Sequence, residues 1–333
     1  MRAVVITKHG PCSVLAVQER PDPVVGPGEV RVAVAAAGLN FAEVMARQGL
    51  YADAPKTPCV VGYEVAGTVA EVAPDVTGVA VGDRVMAGTR FGGHAEQVVV
   101  AAGEIIPLPE GLSFEEGAAI PVNYATAYAA LVEYGGIAPG RRVLIHAAAG
   151  GVGIAATQIA RQHGAEIWGT ASPSKHEAIR GFGVEHPIDY TRDGWEAGLG
   201  PFDIVLDALG GASFKRSYDL LRPGGRLIAY GASSVVSGEK RNLLKAAPQA
   251  LRMVRGFNLI DQMSASKAVI GLNMLTLWDD RGTLEPWISP LQALLAEGSI
   301  RPVVHEAVPF ERAAEAHRII EGRRNIGKVV LVP

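Results

Sequence analysis

The chain has 333 residues, 48% hydrophobic and 20% charged, which excludes a disordered or fibrous protein and suits about two domains. A net charge of −3 without a polybasic tract argues against nucleic acid as a partner. Cys12 and Cys59, far apart in sequence, make neither a disulfide framework nor a thiolate zinc cluster, and point to a reducing, cytoplasmic setting.

The opening MRAVVITKHG holds a short apolar run and then a turn signal, and reads as a first strand rather than a signal peptide. Up to residue 121 short apolar runs recur, among them EVRVAVAAAG, YEVAGTVAEVA, DRVMAG and HAEQVVVA, each broken by Gly or Pro. That texture predicts a β-rich domain, with NFAEVMARQG its best helix. NYATAYAALVEYGG then has helical spacing and ends at a glycine pair. Strands RVLIHA, AEIWGTA, FDIVLDALG and RLIAYGAS alternate with helices GIAATQIARQHG, SKHEAIRGFG and FKRSYDLLRPGG. This alternation predicts βαβ units on a doubly wound parallel sheet, so the fold class is α/β. KRNLLKAAPQALRMV is expected to be helical and KAVIGLNML to be one more strand. The tail reads as helix ISPLQALLAEG, strand RPVVHEAVPF, helix ERAAEAHRIIEG and strand GKVVLVP.

The stretch VLIHAAAGGVGIAATQIA is nearly uncharged, but glycines at its centre and a histidine near its start reject a membrane span. Within it, Ala148-Ala149-Gly150-Gly151-Val152-Gly153 lies between a strand and a helix, where a dinucleotide-binding turn belongs. Gly150 would let the backbone approach a pyrophosphate, and Gly153 would let the helix pack close to the strand. The helix's free N–H groups would face the phosphates. The first glycine of the usual pattern is replaced by Ala148. At the end of the next strand stand Ser172, Ser174 and Lys175, with no carboxylate before Glu177. Hydroxyls and an ammonium suit the 2′-phosphate of NADPH, which a carboxylate would repel. The alternative is an ordinary helix cap with a solvated lysine. Gly322 to Lys328 approaches a P-loop, but Val329 offers magnesium no hydroxyl and the lysine opens a strand instead of a helix. No G-x-S-x-G elbow occurs.

In order along the chain, GLNFAEVMARQGLY, GYEVAGTV, VGDRV, HAAAGGVG and GKVVLVP resemble the medium-chain dehydrogenase/reductases, in their zinc-free quinone oxidoreductase branch. GTASPSKHEAI, HPIDY and KRNLL resemble the vesicle amine transport protein homologues within it. The resemblance implies a GroES-like catalytic domain from residues 1–121 and 277–333 and a Rossmann NADPH-binding domain from 122–276. It implies a homodimer through the last Rossmann strand, Lys267 to Leu275. It places Asn40, Tyr51, Thr126, Ala149, Gly150, Gly151, Val152 and Gly153 toward the cofactor. Lys175 and Tyr190 would flank the adenosine phosphate, with Ser172 beside them. Gly231, Ala232 and Ser233 would approach the nicotinamide, and Arg323 the phosphates.

Zinc dehydrogenases of this superfamily carry a Cys, a His and a Cys where this chain has Asn40, Tyr63 and Val122, so no metal is expected. Without a Lewis acid an activated acceptor is the easier substrate, and the expected reaction is hydride transfer to a quinone or an α,β-unsaturated carbonyl. Asn40, Tyr51 and Tyr63 are the candidate polar contacts to its oxygen, a phenol being able to supply the proton. Tyr63 has the equal alternative of packing beneath the site, and Glu64 is expected to be structural. Two other readings are an enoyl reductase of lipid or polyketide synthesis and a non-catalytic NADPH-binding peripheral membrane protein. The second would use the basic stretch KRNLLKAAPQALRMVRGF.

Overall fold

The computed structural model describes residues 1–236, 238, 243–254 and 257–333. The chain forms two compact units. One is built from Met1–Ala125 and Leu275–Pro333, and the other lies between Thr126 and Met274.

The first unit is β-rich. A seven-stranded sheet runs Val304–Pro309, Lys328–Val332, Glu29–Leu39, Glu64–Val72, Arg84–Gly88 and Ile105–Pro107, with Gln97–Ala101 also paired to Glu29–Leu39. Alternating valines of these strands, among them Val30, Val32, Val65, Val85 and Val98, fill a buried core. The C-terminal strand joins this sheet antiparallel, with Val329 opposite Leu39 and Val330 opposite Gly38. That register brings Lys328 to the end of Glu29–Leu39, beside Asn40. Asn40 caps the helix Phe41–Gln48 reciprocally with Glu43, which explains why the helix starts there.

The second unit is a six-stranded parallel sheet. Across the sheet the strands run His186–Asp189, Glu166–Ala171, Arg142–Ile145, Phe202–Asp207, Leu221–Ala229 and Ala268–Gly271. Numbered by position in the chain, this is the 3-2-1-4-5-6 order of the dinucleotide-binding fold. The order reverses between Arg142–Ile145 and Phe202–Asp207, so a ligand belongs at the C-terminal ends of those two strands. Strand interiors such as Phe202–Asp207 are buried throughout, as a sheet covered on both faces requires.

Some expected elements end differently. KAVIGLNML is a strand only over Ala268–Gly271, and a helix, Met274–Arg281, follows. NYATAYAALVEYGG is an α-helix to Tyr128 and then widens to a π-helix over Ala129–Tyr134. ISPLQALLAEG is divided among short helical pieces, Glu285–Ile288, Ser289–Leu291 and Gln292–Ala296. KRNLLKAAPQALRMV is helical over Leu243–Val254 with Pro248 inside it, and residues 240–242 and 255–256 of the basic stretch lie outside the described residues. Among the described residues no helix is long and apolar enough to cross a membrane.

Candidate functional site

In the second unit the strand Arg142–Ile145 leads through His146 into the bare turn. Ala147 holds φ 53°, a left-handed conformation that a non-glycine residue adopts at a cost. Gly150 is the N-cap of Gly151–Gln162 and has no side chain to cap it. The first N–H groups of that helix therefore point outward without intrahelical partners, at the positive end of the helix dipole. A Cβ on Gly153 would fall 2.4 Å from the Ala147 carbonyl oxygen, so only glycine lets the helix close on the turn. Bare main chain, a helix N-terminus and no competing cap form a cradle that fits a pyrophosphate.

Several of the other expected nucleotide contacts of this unit follow the C-terminal ends of its parallel strands. Ser172 follows the strand next to the turn, with its Oγ 3.3 Å from that of Ser174. Lys175 ends the short helix Pro173–Lys175, half-buried, and burial lowers its ammonium pKa. Tyr190 follows the next strand out, His186–Asp189. Gly231, Ala232 and Ser233 follow Leu221–Ala229. A Cβ on Gly231 would meet the Ala208 carbonyl oxygen at 2.8 Å, so that peptide runs close against the loop after Phe202–Asp207. Thr126 is buried on the Pro121–Tyr128 helix.

In the first unit Asn40 sits in a buried polar cluster. Lys328 Nζ donates to Asn40 Oδ1 at 2.6 Å and to Glu64 Oε1 at 2.5 Å, with Asn123 Oδ1 at 3.5 Å. Asn40 Nδ2 donates to Glu64 Oε1 at 3.0 Å, and the Val122 N–H donates to Glu64 Oε2 at 2.7 Å. Glu43 accepts the Asn40 N–H at 2.9 Å. Burial pushes the Glu43 carboxyl up to about 8, against the pull of Lys328. Tyr63 packs edge-on to Tyr51, with ring centroids 6.3 Å apart, and tilts over Phe91 at 5.1 Å. The Tyr63 hydroxyl is buried and interacts with that of Tyr51. Burial raises the pKa of both phenols, so both stay protonated. Arg323 is exposed in the turn after Ala313–Glu321, at φ 52°.

These residues do not fit a catalytic zinc. Asn40 is engaged by an ammonium, Tyr63 offers a neutral phenol and Val122 an apolar side chain. Among the described residues no group of three His, Cys, Asp or Glu is placed to hold a metal ion. Lys328, Glu43 and Asn123 were not singled out as site residues from sequence. The one signal for Lys328 was a lysine opening an otherwise apolar strand.

Residues 26–110 match the alcohol dehydrogenase GroES-like domain family, and residues 182–331 the zinc-binding dehydrogenase family. The zinc in that second name describes the family and not the donor set found here. The synaptic vesicle membrane protein VAT-1 homolog of Homo sapiens is 39% identical over 341 aligned positions, covering 100% of this chain and 86% of that protein. The structure of Escherichia coli quinone oxidoreductase complexed with NADPH superposes with a TM-score of 0.87 at 29% identity, over 100% of both chains. The CurK enoyl reductase does so with a TM-score of 0.84 at 27% identity, over 99% of this chain and 98% of that one. Fold, turn and likenesses together define an oxidoreductase of the medium-chain dehydrogenase/reductase class, built on a pyridine-nucleotide-binding fold. Within that class the chain belongs to the family of the VAT-1 homologues.

Proposed function

We propose that this protein is a zinc-independent, NADPH-dependent oxidoreductase that reduces a quinone or an α,β-unsaturated carbonyl compound. The observation that carries the reading is the state of the three positions where zinc ligands would fall. Asn40 is tied to Lys328 and Glu64, Val122 is apolar, and Tyr63 presents a buried, protonated hydroxyl beside Tyr51. The acceptor's oxygen is then met by hydrogen-bond donors and not by a metal.

When bound, the reduced nicotinamide supplies the hydride. The turn Ala149–Gly153 holds the pyrophosphate through main-chain N–H groups. Lys175 and Ser172 hold the 2′-phosphate, with Tyr190 flanking it, and Gly231, Ala232 and Ser233 line the nicotinamide half. Thr126 and Arg323 complete the nucleotide contacts in this reading. Tyr63 and Tyr51 donate to the oxygen on which negative charge develops, and a phenol supplies the proton. Asn40 acts by fixing the Lys328–Glu64 pair, since both ends of its amide are already engaged. The nucleotide complex of the E. coli quinone oxidoreductase supports the cofactor, and the run of hydroxyls and ammonium after Ala171 favours NADPH over NADH.

The likeness to the CurK enoyl reductase supports a second acceptor class, an enoyl thioester, on the same turn and hydride step. A homodimer fits the end of the parallel sheet at Ala268–Gly271, and the helix Leu259–Ala265 near it exposes Leu259, Ile260 and Met263 by 70–75%.

The test is NADPH oxidation by purified, metal-analysed protein with one short quinone and one 2-alkenal, NADH alongside. Turnover with NADPH preferred is expected, and the ratio of the two rates assigns the acceptor class. Tight NADPH binding without turnover of either compound would reject both as acceptors and leave a bulkier acceptor such as an enoyl thioester, or a non-catalytic nucleotide-binding protein.

A further inference from the structure

Beneath the nucleotide turn lies a buried polar chain that the reaction above does not use. It joins the C-terminal ends of three adjacent strands of the parallel sheet. His146, which follows Arg142–Ile145, is 1% exposed and both of its ring nitrogens are engaged. Nδ1 lies 3.2 Å from Thr170 Oγ1, at the end of Glu166–Ala171. Nε2 lies 3.0 Å from Ser217 Oγ, on the helix Ala212–Asp219. Ser217 Oγ lies 2.7 Å from Oδ2 of Asp207, the last residue of Phe202–Asp207.

The directions of these bonds follow from donor chemistry. The Asp207 carboxylate only accepts, so Ser217 gives it its proton. Ser217 Oγ must then accept from His146, which places the imidazole hydrogen on Nε2. Nδ1 is left bare and accepts from the Thr170 hydroxyl. A lone pair of Thr170 Oγ1 in turn takes the N–H of Ala147 at 3.2 Å. At the other end, Asp207 Oδ2 also accepts from Ser213 Oγ at 2.7 Å, and Oδ1 accepts the N–H groups of Leu209 and Gly210 at 2.7 and 3.3 Å. For a neutral histidine one proton arrangement satisfies every member, and it fixes one tautomer. Burial lowers the His146 pKa, which keeps the ring neutral.

Two unusual backbone segments hang on this chain. Ala147, whose N–H bonds to Thr170, stands at φ 53°, and Gly210 and Gly211 stand at φ 73° and 61° in the loop that bonds to Asp207. The first opens the pyrophosphate turn. Thr170 lies two residues before Ser172, at the start of the 2′-phosphate loop.

We propose that His146 is a positioning residue for the nucleotide. As the neutral Nε2–H tautomer it ties the pyrophosphate turn to Thr170 on one side and to the Asp207 loop on the other, and so preforms the binding edge. This role rests on the nucleotide function proposed above.

Thr170→Val keeps the side-chain shape, removes the donor to Nδ1 and strands the Ala147 N–H. Thr170→Ser restores both. NADPH binding is followed by nucleotide fluorescence and folding by thermal melting. The valine variant is expected to bind about tenfold more weakly and the serine variant within about twofold of the parent, the scale of one or two lost buried hydrogen bonds. A merely structural threonine would lower the melting temperature and leave the dissociation constant unchanged, and that result overturns the proposal. Nitrogen NMR of the unliganded, histidine-labelled parent reads the tautomer without any variant. An imidazole protonated on Nε2 alone is expected, and a hydrogen on Nδ1 overturns the network. A parent protein that binds no pyridine nucleotide defeats the proposed function and this role with it. A parent that binds while both variants bind equally well defeats only the role of His146.

Discussion

Lys328 and Glu64 stand 264 residues apart in sequence and meet at 2.5 Å, with side chains 3% and 0% exposed. The pair lies where the last strand of the chain reaches Asn40, and it closes the first unit by joining the C-terminus to the N-terminal domain. A buried ion pair adds little over an apolar pair of the same size, but breaking one leaves a charge uncompensated.

Lys328→Met should therefore cost about 3–5 kcal/mol, because it leaves Glu64 charged and buried with only amide donors. Adding Glu64→Gln should restore a large part of that loss, since the uncompensated charge is then gone. Denaturant unfolding of the two single variants and the double variant reads this directly. A Lys328→Met protein as stable as the parent would show that the pair does not hold the strand.

Much of this arrangement was legible in the sequence, and the reason for the rest is physical. Alternating strand and helix patterns gave the parallel sheet, and HAAAGGVG marked the turn, because both signals are local in the chain. The partners of Lys328 were hidden, because only the register of Val329 against Leu39 brings it to Asn40. His146 read as the end of a strand, since its three partners come from two other strands and a helix. KAVIGLNML misled because a short apolar run has no period that separates strand from helix. Its pairing with Leu221–Ala229 stops at Gly271, where the helix Met274–Arg281 soon takes over.

Acid should draw stability from the buried His94, while the raised carboxyl of Glu43 adds stability as the pH falls through about 8. His94 is fully buried, its Nε2–H donates to the Gly38 carbonyl at 3.1 Å, and Nδ1 has no partner. Burial lowers its pKa from 6.5 to about 4. The unfolded chain takes up a proton below 6.5 while the folded chain refuses it until about 4, so stability is complete above 6.5 and falls between those values. By about pH 5 the loss from this one group is about 2 kcal/mol. His317, also buried and pushed well below its ordinary value, acts in the same direction. Urea unfolding of the parent and of His94→Gln at about pH 7.5 and about pH 5 isolates this loss, because the contribution of Glu43 is common to both proteins. A pH dependence that the substitution leaves unchanged would refute the assignment.

Lys175→Ala tests the choice of nucleotide. The half-buried ammonium follows a strand end that carries hydroxyls and no carboxylate, and the NADPH reading pairs its charge with the 2′-phosphate. NADPH affinity should fall by about tenfold or more while NADH affinity changes by less than about threefold, as expected for loss of one charge-assisted contact. Isothermal titration with both nucleotides decides, and equal losses would reject the 2′-phosphate role.

Gly150→Val tests the turn itself, and the structure indicates why this glycine and not Gly153 is the right one to change. Gly153 is a packing glycine. Its Cβ would collide with the Ala147 carbonyl oxygen at 2.4 Å and with Ala148 Cα at 2.8 Å, so any substitution there disturbs the fold and confounds a binding measurement. Gly150 sits at φ −83° and ψ 170°, extended backbone open to any residue, and its Cβ would approach only the Ala147 carbonyl oxygen, at 3.3 Å. The valine variant should fold with a somewhat lower melting temperature, because the Ala147 carbonyl must give way slightly and valine caps a helix poorly, while its side chain occupies the space over the helix N-terminus that a pyrophosphate would fill. Its affinity for NADPH and NADH should fall together, by about a hundredfold, because both share the pyrophosphate and the bulk blocks its approach to the main chain. A folded Gly150→Val protein that binds either nucleotide as the parent does would show that the phosphates lie elsewhere.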